Sequence, residues 1–293
     1  MKIIKPSVEF FGAVPTDYTN ALRFIEVAGR TCYRSEDKIT ADSAEGFVKR
    51  LINAGHLAMV EHSNFVVRLP QPTTIVLGLG ETISALAGKY LTTAQDTQYI
   101  YIGGNLTAWI QANSKHSSLK SAIFVPFSRQ YGDLFNISNR QNGSNAWQVC
   151  PHDEIPAVLH RYSAKFICDR GVSHELVRHR PCSFAQESTR YVDYKDKDME
   201  FIEPAGFDEW SGPLTDAFME DCQKIEQGYK WYRSMGLTPQ QARAKLTNDL
   251  KTEIVVTADA AEWAHIKKLR THPSAHPDMV RVMNMVPWEE MGL

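Results

Sequence analysis

Apolar residues recur at helical spacing over residues 17–30, with Ala21, Phe24, Ile25, Val27 and Ala28 on one stripe, and this predicts a first helix after a short apolar run at Ile3 and Ile4. A second helix is predicted over 43–54, with Ser43 as N-cap, Phe47, Leu51 and Ile52 inward and Gly55 as the stop. Residues 65–69 read as a strand that Pro70 and Pro72 end. From about 70 to 160 the periodic order weakens. Ser, Asn, Gln, Thr and Gly become frequent there, and 136–145 is nearly all polar, so we expect an elaboration with a strand around 99–102 and a helix after Asn105. Order resumes at Tyr162. A helix is predicted over 167–177 and a longer one over 215–235, whose stripe is Phe218, Cys222, Ile225, Tyr229 and Tyr232 and which Gly236 closes. Pro239 then opens a region expected to be mostly helical, over 239–269. The chain contains no internal repeat.

Composition adds bounds to this picture. With 293 residues, 43% of them hydrophobic, the chain has enough apolar mass for a sizeable core. Its 32 basic and 34 acidic side chains give a net charge of −2, which excludes a polycation built to coat nucleic acid or an anionic membrane. No apolar run approaches the ~20 residues that span a bilayer, and the first residues lack a signal-peptide core, so a soluble cytoplasmic protein is expected. Five widely spaced cysteines, Cys32, Cys150, Cys168, Cys182 and Cys222, form no C-x-x-C pair and suit reduced thiols.

Three short motifs fail on closer reading. Gly78-Leu-Gly80 after the apolar run 75–77 lacks the third glycine of a dinucleotide fingerprint, since position 83 is Ile83. His174-Glu175 begins like a zinc-protease helix, but the next histidine is His179, one residue too late to share its face. No metal site is expected. Pro181-Cys182 matches the cysteine-dependent thymidylate synthases for two residues only, and Cys182 reads as structural.

The segment 178–191 is denser in chemistry. Arg178, His179, Arg180 and Arg190, with Ser183, Gln186 and Ser188, form an array of donors suited to phosphates and heteroaromatic rings. A solvated basic face neutralised by Glu175, Glu187, Asp193 and Asp196 is the plain alternative, and a nucleic-acid-binding face running over 178–190 is another.

The order of residues favours a specific likeness. Arg178-His179-Arg180, seven residues and then Ser188-Thr189-Arg190-Tyr191 resembles the R-H-R-x7-S signature of the flavin-dependent thymidylate synthases. Arg30-Thr-Cys-Tyr33 and Gly55-His56-Leu-Ala-Met-Val-Glu61-His62-x-x-Phe65 are similar to that family's amino-terminal block, and Ala242-Arg243, Trp263 and Leu269-Arg270 to its carboxyl-terminal one. The resemblance implies an α/β (α+β) fold with an antiparallel sheet flanked by helices, in a single domain over 1–293 enlarged by an insertion at about 70–160. It implies a homotetramer with shared active sites, and no nucleic-acid or membrane partner. The implied reaction is methylation of dUMP to dTMP, with 5,10-methylenetetrahydrofolate as carbon donor, FAD as hydride carrier and NADPH as reductant.

Carried over position by position, Arg270 is the expected catalytic residue, stabilising negative charge at the uracil edge. Glu175, Arg178, Gln186, Glu187, Ser188, Thr189, Arg190 and Arg243 join it as the expected dUMP set. His56, Ala58, Arg178, His179, Arg180, Pro181, Gln186, Asp259 and His265 match the FAD-contacting positions. Lys267 is a further cation expected near the site, and His62 reads as structural. Several positions depart from the family pattern: Glu175 stands for a common glutamine, Ala58 for a small hydroxyl residue, Gln186 for a glutamate, and Asp259, Ala261 and His265 for asparagine, arginine and asparagine. An inactive relative that keeps the fold is therefore a second alternative.

Overall fold

The computed structural model describes residues 1–71, 91–115, 123–137 and 146–293. The Gly78-Leu-Gly80 turn and most of the polar run over 136–145 lie outside the described residues. In chain order the elements begin with β1 (Lys2–Ile4), β2 (Ser7–Ala13), α1 (Tyr18–Tyr33), α2 (Ser43–Asn53), the single turn α3 (Leu57–Val60) and β3 (Phe65–Pro70). There follow β4 (Leu91–Gln95), β5 (Tyr99–Gly104), α4 (Leu106–Lys115), α5 (Val125–Phe135), β6 (Gln148–Val149), β7 (Arg161–Asp169), α6 (Arg170–Leu176), β8 (Ser183–Gln186) and β9 (Glu200–Ile202). The last third carries α7 (Gly212–Ser234), α8 (Pro239–Ala242), β10 (Lys251–Asp259), α9 (Ala260–Arg270) and α10 (Pro277–Met283).

A four-stranded antiparallel sheet in the order β2-β7-β10-β8 is flanked by helices on both faces. Its centre is β7 against β10, nine residues each, in register from Lys251 opposite Asp169 to Asp259 opposite Arg161. Ala164, Phe166 and Cys168 of β7 and Ile254, Val256 and Ala258 of β10 point to one face, where Val172 and Leu176 of α6 and Trp263 and Ile266 of α9 cover them. The opposite face carries Val255 and Ala185 against Ala28 and Cys32 of α1. In β2 the register slips between Phe10 and Gly12, and Gly12 takes φ +78°, the left-handed geometry of a glycine bulge.

A second antiparallel sheet, β4-β5-β3-β6, joins the amino-terminal block to strands from residues 91–104 and 148–149. Phe65 of β3 meets Trp109, Phe127 and Tyr131 edge-on at 5.4–5.5 Å, and the Trp109 indole N–H donates to the Phe65 carbonyl at 2.9 Å. Leu22, Ile25, Phe47, Val48 and Leu51 of α1 and α2 belong to the same core. The described residues between 91 and 147 are thus packed on the amino-terminal block through a shared apolar centre. A parallel pair, β1 with β9, closes over α7. Among the described residues no helix is long and apolar enough to cross a membrane.

Helices α1, α2 and α7 and strands β3 and β5 fall where the pattern predicted them, and Gly55 and Gly236 sit after their helices at φ +73° and +88°. Three expectations are corrected. Ser43 is the first helical residue and Asp42 holds the N-cap position; the Ser43 hydroxyl accepts the Thr40 N–H at 2.9 Å and donates to Glu26 at 2.7 Å. The helix expected over 167–177 begins only at Arg170, since 161–169 is strand and Asp169 caps the helix by accepting the Val172 N–H at 2.8 Å. The region over 239–269 is interrupted by β10, whose Ile254-Val255-Val256-Thr257 run is buried on both faces. A strand covered on both sides loses the alternation that marks a half-buried one, so its pattern is indistinguishable from a buried helix.

Candidate active site

The two central strands each end in a capped helix, at opposite ends of the sheet. β7 leads through Asp169 into α6, and β10 leads through Asp259, whose carboxylate accepts the Glu262 N–H at 2.8 Å, into α9. Both helices cross the same sheet face, and this brings the last residue of α9, Arg270, against the end of α6. The Arg270 guanidinium donates through Nη1 to Glu175 Oε2 at 2.6 Å, through Nη2 to the Glu175 carbonyl at 3.1 Å and through Nε to His179 Nε2 at 3.0 Å.

His179 is buried, at 6% exposure, and its other nitrogen, Nδ1, lies 3.0 Å from Glu262 Oε1. Burial holds this imidazole below its ordinary range, with Arg270 and His265 adding to the effect and Glu262 opposing it. The His265 ring stands edge-on to it at 5.8 Å. His179, Glu262 and His265 bring ligand-type atoms within 4.8 Å of one another, but both His179 nitrogens are already engaged.

Arg178 and Arg180 flank this buried ring in sequence and are exposed; among the described residues neither has an ion-pair partner. Pro181 and Asp259 line a small polar cavity of about 20 Å³, with Arg161, Asn64, Gly103, Gly104 and Leu159 beside them. Gln186 is half-buried at the end of β8 and donates to Ser173 at 2.8 Å and Thr252 at 3.2 Å.

Beyond β8 the chain turns against α1. The Ser188 N–H donates to the Cys32 carbonyl at 3.0 Å, and the Ser188 hydroxyl accepts the Arg190 N–H at 3.3 Å. The Glu187 carboxylate points inward: it accepts from Tyr194 at 2.9 Å and lies 3.3 Å from Lys251 and 3.8 Å from Arg34, while its N–H is taken by the Glu253 carbonyl. Thr189 is buried at 9% exposure. Arg190 is exposed and stacks over Tyr191, whose ring stands 5.2 Å from Tyr33 at the wall of a cleft of about 350 Å³. The Tyr33 hydroxyl reaches His56 Nδ1 at 3.4 Å; His56 and Ala58 are exposed at the α3 turn.

Contacts thus bring Arg270, Glu175 and His179 together, with His265 alongside, and a second group forms around Ser188, Arg190, Tyr33 and His56. Arg243 is exposed beside α8, and among the described residues no hydrogen bond or ion pair joins it to either group. Lys267 turns away from Arg270, its ammonium 5.9 Å from the Trp288 ring. Arg30 is structural, held at 2.9 Å by Glu26 inside α1. Glu262 is the participant that sequence reasoning missed. Its signal is the spacing Asp259-x-x-Glu262, a cap residue followed three positions later by a glutamate, which marks the first turn of a helix.

The sequence family described as Thymidylate synthase complementing protein matches residues 16–75 and 155–289. The chain belongs to that family. The match leaves out residues 76–154, within the stretch over 70–160 where periodic order weakens. A flavin-dependent thymidylate synthase of Thermococcus onnurineus is 31% identical over 134 residues, covering 43% of this chain and 50% of the relative. Those of Thermococcus kodakarensis and Mycolicibacterium gilvum are 36% identical over 105 residues, covering 35% and 42%, and 33% identical over 141 residues, covering 42% and 54%. The chain spans about half the length of the curated relatives it matches. A solved UMP/dUMP methylase from Streptomyces cacaoi, bound with 5-Br dUMP, aligns over 99% of this chain and 90% of that chain at 14% identity and a TM-score of 0.40, a likeness too distant to carry an argument.

Proposed function

We propose that this protein is a flavin-dependent thymidylate synthase, converting dUMP to dTMP with 5,10-methylenetetrahydrofolate as carbon donor and NADPH as reductant. The observation that carries the reading is the Arg178-His179-Arg180 and Ser188 signature of a family member, joined by His179 directly to Arg270. Every ligand of such a reaction is an anion, and arginine suits them because its fork binds phosphate bidentately and its charge is fixed at working pH.

The residues fit FAD. Arg178 and Arg180 offer exposed guanidinium groups, without an ion-pair partner among the described residues, to a pyrophosphate, with His56, Ala58, Pro181, Gln186, Asp259 and His265 as the remaining contacts. When bound, reduced FAD supplies the hydride. The chain's own residues do the rest. Arg270 stabilises negative charge developing at the uracil edge as C5 becomes nucleophilic. Ser188, Thr189, Arg190 and Arg243 hold the nucleotide, Glu175 holds Arg270 until the nucleotide displaces it, and Glu187 contributes by fixing the turn that presents Ser188. Ser188 acts as a binding group, since its hydroxyl accepts the Arg190 N–H. Because Arg190 and Arg243 stand apart from the Arg270 group within one chain, we propose that subunits of a homotetramer complete one another's sites.

The test is dTMP formation by the purified protein supplied with FAD, dUMP, methylenetetrahydrofolate and NADPH, alongside growth of a thymidine-requiring bacterium that expresses it. Turnover and growth are the expected results. Protein that neither binds FAD nor oxidises NADPH would overturn the reading.

A further inference from the structure

Resting on the thymidylate synthase reading above, we propose that Glu262 is a positioning residue that fixes Arg270 through the ring of His179. His179 is gripped at both edges, by Arg270 Nε at 3.0 Å from Nε2 and by Glu262 Oε1 at 3.0 Å from Nδ1. An arginine Nε always carries its hydrogen and has no lone pair to offer, so His179 Nε2 is the acceptor. The ring proton of the neutral imidazole therefore sits on Nδ1 and is donated to the Glu262 carboxylate. One tautomer satisfies all three groups. The opposite tautomer would turn N–H against N–H at Arg270 and leave Glu262 without a donor.

The two holds on Arg270 differ in kind. Glu175 occupies the Nη edge and its side chain is 30% exposed, so a substrate that uses that edge competes with it. His179 occupies Nε and is buried. When Glu175 is displaced, the guanidinium plane stays where His179 holds it, and His179 stays where Glu262 sets its tautomer. Glu262 is itself fixed in the first turn of α9, its N–H on Asp259 at 2.8 Å. The charged and titratable groups facing His179 are Glu262, His265 and Arg270 from α9 and, through Arg270, Glu175 from α6. Burial keeps the ring neutral. Protonation would remove the lone pair that holds Arg270, so the hold is lost on the acid side.

The experiment uses the full-length protein with its histidines 15N-labelled, and the variants Glu262→Ala and Glu262→Gln. In the wild type, long-range nitrogen–proton correlation at neutral pH is expected to show His179 protonated on Nδ1 alone, in the absence of flavin and nucleotide. Glu262→Ala is expected to lose that single tautomer and, with FAD, to lower kcat about tenfold to a hundredfold while KM for dUMP changes less, since a misplaced group acts mainly on the transition state. Glu262→Gln, which keeps an acceptor for the Nδ1 proton, is expected to retain the tautomer and most of kcat, with the acid limb of the rate profile displaced. A wild-type His179 protonated on Nε2 would overturn the proposal, as would wild-type kcat and KM in Glu262→Ala. Stoichiometric zinc retained by the wild type and lost in Glu262→Gln would overturn it in favour of a metal centre. Absence of dTMP formation in the wild type would sink the synthase reading, while the tautomer measurement would still decide the relay.

Discussion

Arg270 Nη1 donates to Glu175 Oε2 at 2.6 Å, and its Nη2 to the carbonyl of the same residue at 3.1 Å, so a carboxylate holds the proposed catalytic arginine. The pair joins the last turn of α9 to the last turn of α6. A glutamine at position 175 would keep a hydrogen bond but give up the charge.

That exchange defines the first prediction. Glu175→Gln is expected to tighten dUMP binding by roughly two- to fivefold, because a partly exposed ion pair contributes about 0.5–1 kcal/mol that an incoming nucleotide no longer has to displace. Calorimetric titration of dUMP into wild type and variant measures it. Weaker binding in the variant would mean that Glu175 contacts the nucleotide directly.

Arg270→Ala is expected to lower dTMP formation by about a hundredfold or more, the usual cost of a group aimed at developing charge, while FAD remains bound. Arg270→Lys should recover little, since a point charge cannot meet Glu175 and His179 together. Turnover assayed against flavin absorbance separates chemistry from cofactor loss. Full activity in either variant would remove Arg270 from its role.

His62 offers a stability test away from the chemistry. It is fully buried, with Nδ1 at 2.8 Å from the Thr257 hydroxyl, and burial, aided by the Arg161 charge, lowers its pKa to about 3. A histidine whose folded pKa lies below the unfolded value of about 6.5 favours the neutral ring, so its contribution is complete above that value and is lost as pH falls from there toward about 3. His62→Phe is expected to unfold more readily at pH 7.5, by about 1–2 kcal/mol for the lost hydrogen bond, and to lose less stability than the wild type between pH 7 and 5. Urea midpoints at each pH decide this; parallel pH profiles would count against it.

The inserted region is proposed to belong to one folding unit with the rest. Trp109 is fully buried among Phe65, Phe124 and Phe127. Trp109→Ala should therefore cost about 3–5 kcal/mol and shift a single cooperative transition followed by both circular dichroism and tryptophan fluorescence. Two separated transitions would instead identify the insertion as an independent domain.

The linear pattern sufficed for α1, α2, α7, β3 and β5, each of which is amphipathic or bounded by glycine and proline and so carries its own period. It also sufficed for the family, because Arg178-His179-Arg180 and Ser188 are fixed by spacing within one segment. It did not reveal β7 and β10 as the paired centre of the sheet. Ile254, Val255 and Val256 are apolar without alternation, since both faces of that strand are covered, and only pairing with residues some ninety positions earlier defines the element.

The residues themselves determined which groups are available for chemistry. Only the tertiary structure decided which of them meet. Two capped helices, started at opposite ends of neighbouring strands, place Arg270 beside Glu175 and His179 and place Glu262 behind the ring, whereas Arg243 is left on its own surface. Residues 83 and 95 positions apart along the chain come within hydrogen-bonding distance there. A sequence signature records which residues are present, but the direction of a guanidinium and the tautomer of an imidazole are set by the partners that packing supplies.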